Sequence, residues 1–116
     1  MPPRTMTAVS REDCELLHRE LLRLGALGAR RAVPRRLVAA GAFDGNDRRM
    51  RHIMAAAPAF GFAVGSSEDG YFVAEGPADL DCAIADLQSR VGELARRAAA
   101  LETIRRAMTT VGGRLF

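Results

Sequence analysis

From Leu80 to Met108 apolar residues recur in alternating steps of four and three: Leu80, Ile84, Leu87, Val91, Leu94, Ala98, Leu101 and Met108, with only Arg105 out of pattern. Such steps hold one apolar stripe on one side of an α-helix over about four heptads, the pattern of a coiled-coil seam. Gly76-Pro77 precedes the run and suits a helix start. The spacing therefore predicts one long helix over about Ala78–Met108. A helix of roughly 30 residues spans about 45 Å, more than a small helical core can cover. The excess, near Val91–Met108, needs a partner helix, and a second copy of the chain is the simplest one. Leu87, Val91, Leu94, Ala98, Leu101 and Met108 are the expected dimer contacts. A packing stripe within the chain is the alternative.

Upstream the periodicity is helical and then switches. Ser10 followed by Asp13 resembles a capping box, and Cys14, Leu17, Leu21 and Leu24 share a stripe, so a first helix is expected over about Arg11–Leu27, ended by Gly25 and Gly28. Pro34 suits the first turn of a short second helix over about Pro34–Ala40, with Leu37 and Val38 on its buried side and Gly41 as its C-cap. Asp44-Gly45 marks a turn. Asn46 or Asp47 caps a third helix over about Asp47–Ala57, limited by Pro58. Phe62 and Val64, then Tyr71 and Val73, alternate around the turn-rich Ser66–Gly70, which reads as a β-hairpin. The chain is one domain: a loose tail over 1–9, a folded unit over 10–76, the long helix over 77–111, and a tail over 112–116 freed by Gly112-Gly113. The class is mostly α with a β-hairpin.

The net charge of +3 says less than its distribution. All 17 basic residues are Arg, a bias that a GC-rich genome would also produce. Codon bias does not explain where they sit. Between Arg30 and Arg51 seven Arg face only Asp44 and Asp47, whereas from Ala63 onward eight acids outnumber six Arg. A cationic patch on a less basic remainder fits an anionic partner on one face.

The third helix focuses that patch. At 100° per residue Met50, Ile53, Met54 and Ala57 share one face, and Arg48, Arg51, His52 and Ala55 share the opposite one. One side can pack on the other helices. The other presents three hydrogen-bonding side chains beside an Ala that permits close approach to a groove floor. Arg can bond guanine O6 and N7 together in a major groove that admits a helix. Arg48, Arg51 and His52 are therefore the candidate base contacts. An Arg-rich face is often plain solvated surface; here it follows a short helix and a turn and precedes a hairpin, the order of a winged helix-turn-helix module. Arg49 on the flank, Arg30, Arg31, Arg35 and Arg36 around the second helix, and Asn46 are candidate phosphate contacts. For Arg30, Arg31, Arg35 and Arg36, pairing with acids such as Glu12 or Glu20 is the competing reading. The hairpin tip carries Glu68 and Asp69, which phosphate repels, although Ser66 and Ser67 can donate to it. The hairpin's apolar residues are expected to cover the core.

Other classes find little support. Cys14 and Cys82 match no paired-ligand spacing, and both read as core residues. His18 and His52 have no partners at metal-ligand spacing, and neither a catalytic Ser-His-acid set nor a phosphate loop is present, so neither enzyme, metal nor cofactor is expected. Met1–Thr7 has no signal-like apolar run and no stretch approaches a membrane span. The expectation is a soluble, intracellular protein.

The segment Asn46–Ala74, NDRRMRHIMAAAPAFGFAVGSSEDGYFVA, resembles a group of small winged-helix, helix-turn-helix proteins encoded by bacteriophages and prophages. The resemblance rests on Asp47-Arg48, Arg51, Ile53, Gly61-Phe62, Ser66-Ser67 and Gly70-Tyr71-Phe72. It continues through Asp79-Leu80, Ala83-Ile84, Leu87, Ser89-Arg90 and Arg97-Ala98. It implies DNA binding through Arg48, Arg51 and their neighbours, for regulation, in the bacterial cytoplasm and at the nucleoid when DNA-bound. The reading is thus a sequence-specific double-stranded DNA-binding regulator that dimerises through its C-terminal helix. Two others stand beside it: a winged-helix module that binds a host or phage protein, and an architectural or replication-associated DNA binder with little sequence preference.

Overall fold

Ser10 caps the first helix. Its hydroxyl accepts from the Asp13 amide at 3.2 Å, and its own amide donates to the Asp13 carboxylate at 2.9 Å. This reciprocal pair satisfies amides that the first turn of a helix leaves open. The computed structural model describes residues 8–110. The expected N-terminal tail lies mostly, and the C-terminal tail wholly, outside the described residues.

Four α-helices and one hairpin follow: α1 Arg11–Arg23, α2 Arg35–Ala42, α3 Asp47–Ala56, β1 Val64–Ser67, β2 Gly70–Val73 and α4 Pro77–Thr110. Short 3-10 turns at Ala29–Arg31 and Ala57–Phe60 join them. The architecture is mostly helical, with a two-stranded antiparallel hairpin and a long C-terminal helix. The chain divides into two units, Met1–Ile84 and Ala85–Phe116, so the first unit takes in the start of α4.

Helix boundaries depart from the sequence reading where backbone geometry intervenes. α1 stops at Arg23 rather than Leu27 because Gly25 turns left-handed, φ 76°. The Gly25 amide then bonds the Leu22 carbonyl at 3.0 Å and the Ala26 amide bonds Leu21 at 2.9 Å, the double closure of a Schellman motif. Pro34 stands just outside α2 as its N-cap, and Gly41 lies within the helix instead of ending it. The Glu20 carboxylate of α1 occupies the space a side chain at Gly41 would need, so the glycine serves helix approach. The stop falls at Phe43, before Asp44 and Gly45 at φ 50° and 78°. Leu37 is 45% exposed, and α2 buries Val38 and Ala39 instead. Cys14 is buried, but Cys82 on α4 is exposed, contrary to its expected place in the core.

The hairpin pairs Val64 with Val73 and Ser67 with Gly70, leaving Glu68 and Asp69 as a two-residue loop. The strands therefore reach further into the Ser66–Gly70 segment than its turn residues suggest. Alternation puts Val64, Tyr71 and Val73 on one face. They join Cys14, Leu17 and Leu21 of α1, Val38 of α2, and Met50 and Ile53 of α3 in the main core, with Phe62 packed at its margin. Phe72, fully buried, takes the other face. Any side chain at Gly65 would collide with Phe72 and with Ala83 of α4, so the hairpin is covered on both sides.

The outer edge of β2 is also paired. The Gly28 amide donates to the Val73 carbonyl at 2.8 Å, and Val33 and Tyr71 exchange two bonds at 2.9 Å. The basic connection between α1 and α2 thus completes the small sheet as irregular strand, which leaves β2 no open edge at these positions.

Candidate nucleic-acid interface

α3 carries the candidate site. Its N-terminus is capped by Asn46, whose Oδ1 accepts from the Arg49 amide at 3.0 Å. The chain enters this cap from α2 through a tight turn in which the Gly45 amide bonds the Ala39 carbonyl and the Asn46 amide bonds Phe43, at 2.9 and 2.8 Å. Met50, Ile53 and the following Ala57 are buried, Met54 is half-buried, and Arg48, Arg51, His52 and Ala55 are exposed. The helix thus separates an apolar face seated on α1 and α2 from a polar face open to solvent.

The arginines of the region have different settings. Arg48 is exposed, with no ion pair among the described residues. Arg51 Nε donates to Asp47 Oδ2 at 2.8 Å, one turn earlier, with both side chains at least half exposed. This pair uses Nε and leaves the two terminal amines of Arg51 without an acceptor among the described residues. Arg49 turns the other way. Its guanidinium binds the Asp13 carboxylate at 2.8 Å, with only 26% and 30% of the two side chains exposed. The Asp13 carboxyl, which also accepts from the Ser10 amide, is held below its ordinary value chiefly by that backbone bond. Arg49 therefore fastens α3 to α1, and Asn46 serves as a cap.

Tyr71 ties the hairpin to this face. It is 5% exposed, and burial pushes its phenol above the ordinary tyrosine range. The charge of Arg35, at the first position of α2, and a hydrogen bond from its guanidinium oppose that rise; Asp47 adds to it and Arg51 opposes it. The charges of Arg35, Asp47 and Arg51 thus all act on one buried phenol of β2, and Arg35 is hydrogen-bonded to it. The sequence reading missed this role, since Tyr71 was expected only as core. Its position beside Gly70 gave no signal of which arginines would surround it.

Arg30 and Arg31, both exposed, lie at the other end of β2 on the 3-10 turn Ala29–Arg31. Asp79 of α4 fixes that turn: its carboxylate accepts from the Ala29 amide at 3.1 Å and the Glu75 amide at 2.8 Å. These two amides, Glu75 first, hold the Asp79 carboxyl below its ordinary value. The seven arginines between Arg30 and Arg51 therefore divide into separate settings. Arg36 on α2 is exposed. At the hairpin tip Glu68 and Asp69 are exposed, and the Ser67 hydroxyl accepts from the Asp69 amide at 3.2 Å. Ser66 stands half-buried opposite Tyr71.

In the second unit Leu87, Val91, Leu94 and Leu101 are 54–65% exposed. Ala98 is exposed and Met108 half-buried. Ile104, beside the out-of-pattern Arg105, is 48% exposed and carries the apolar stripe past it. No helix among the described residues is long and apolar enough to cross a membrane, and no cluster of His, Cys, Asp or Glu there could hold a metal ion. Compared with family models, curated proteins and solved structures, the chain matches none of them.

Proposed function

We propose that this chain is a winged-helix protein that binds double-stranded DNA sequence-specifically through α3, in the manner of the phage and prophage regulators its sequence resembles. The observation that carries this reading is the two-faced α3. Its apolar side is locked into the core, and Arg48, Arg51 and His52 stand exposed around the small Ala55. A rigid helix presenting planar, bidentate donors is what major-groove readout requires. Arg35 and Arg36 at the start of α2 are the phosphate contacts beside the groove, with Arg30 and Arg31 as outlying ones. Arg49 is turned to Asp13 within the fold, whereas Asn46 and Ser67 only accept backbone amides through their oxygens and keep donors that can reach phosphate. The protein acts as a dimer through α4, which gives the assembly two copies of α3 for two half-sites.

Fluorescence anisotropy on random-sequence duplex DNA across a salt series, with an Arg48→Ala/Arg51→Ala variant alongside, tests the core of this proposal. Binding should weaken linearly in log–log form with salt and drop in the variant. No binding at low salt, or identical behaviour of the variant, would remove α3 as the interface. A marked gain on one selected sequence separates a regulator from an architectural binder.

The exposed acidic tip at Glu68 and Asp69 favours a second reading, a module that docks on a basic protein surface through the hairpin. Partner capture abolished by Glu68→Ala/Asp69→Ala and untouched by the α3 variant would support it.

A further inference from the structure

The apolar stripe of α4 is flanked by two differently charged edges. Taking Leu87, Leu94 and Leu101 as d positions and Val91 and Ala98 as a positions, the g edge carries Arg90 and Arg97 and the e edge carries Asp81 and Glu102. Neither edge mixes signs. In a parallel pair of helices each g edge faces the partner's e edge, whereas in an antiparallel pair g faces g and e faces e. Edge charges of this kind set orientation. Sliding an antiparallel pair does not help, because every register sets Arg90 and Arg97 against Arg or an uncharged residue, never against an acid. Only the parallel arrangement brings Arg97 of one chain to Glu102 of the other.

Arg97 is exposed and has no acidic partner within the chain among the described residues. Glu102 pairs with Arg105 of its own helix, and Arg90 with Asp86. The one charged seam position, Arg105, thus has a counter-charge beside it. A polar residue at an a position penalises slipped pairings. From these features we propose that α4 pairs with a second copy of itself in parallel and in register, with Arg97 of each chain bonded to Glu102 of the other. This rests on the self-association proposed above and adds its direction.

The test is a charge swap read by sedimentation equilibrium, with far-UV circular dichroism to confirm that each variant is folded. Arg97→Glu should weaken the dimer on the order of tenfold, since two attractive pairs become repulsive. Arg97→Glu/Glu102→Arg should restore it. In a Cys82→Ser background, Leu87→Cys should oxidise to a disulfide-linked dimer, since in-register parallel helices bring the two copies of position 87 together. A dimer that Arg97→Glu leaves unchanged or tightens, with no linkage at position 87, would overturn the parallel pairing while keeping self-association. A protein monomeric at all concentrations would overturn both, and would leave the DNA-binding proposal to its own assay.

Discussion

The backbone carbonyl of Val33 occupies the space that a side chain on Gly70 would need, and Gly70 sits at φ 133°, where only glycine is at ease. Val33 and Tyr71 exchange their two hydrogen bonds beside this contact. Gly70→Ala must therefore strain the backbone and push the α1–α2 connection off β2. Backbone strain alone costs about 1–3 kcal/mol, and loss of the bridge adds to it. Urea denaturation should show a clear fall in midpoint. A variant as stable as the parent would mean the edge pairing contributes nothing.

Neighbouring arginines on α3 should separate binding from stability. Arg49→Ala breaks the ion pair with Asp13 and should lower stability by about 0.5–1 kcal/mol, as for a partly exposed pair. Arg48→Ala removes no ion pair among the described residues and should leave the unfolding midpoint in place while weakening DNA binding. Arg51→Ala should cost about 1–3 kcal/mol on a specific site if it makes a bidentate base contact. Matched denaturation and anisotropy on the three variants check this, and an Arg48 variant that loses stability but keeps DNA affinity would reverse the assignment.

Acid should loosen the Asp79 clasp. Its folded carboxyl is held below the ordinary value of 3.8 by the amides of Glu75 and Ala29. A group depressed in this way contributes stability that is full above its unfolded value and is lost as pH falls through the folded one. Asp13 and Glu20 are depressed as well, by the Ser10 amide and by Arg23, so they reinforce the trend. Melting temperatures of the parent and Asp79→Asn should differ at neutral pH and converge below the ordinary aspartate value. A gap that persists into strong acid would show that the carboxylate charge is not what holds the turn.

Much of the local structure is legible in the sequence because its causes are local. Ser10 and Asp13 lie within one helical turn, Asn46 caps the helix that follows it, and the apolar spacing of Met50 and Ile53 fixes which face of α3 is buried and which carries Arg48, Arg51 and His52. The heptad steps of α4 likewise depend only on helical geometry, and Gly25 ends α1 by its own left-handed φ, although the sequence reading carried that helix on to Leu27. Tertiary structure decided what depends on residues distant in the chain. Phe72 is buried because α4 closes the hairpin's second face, which no alternation within the hairpin could indicate. Arg49 turns from flank to fastening because Asp13 lies across from it, 36 residues earlier. Arg35 reaches the Tyr71 phenol because pairing of Val33 with β2 brings the start of α2 there. Periodicity specifies a side chain's direction about its own axis; what it meets in that direction is set by how the elements pack.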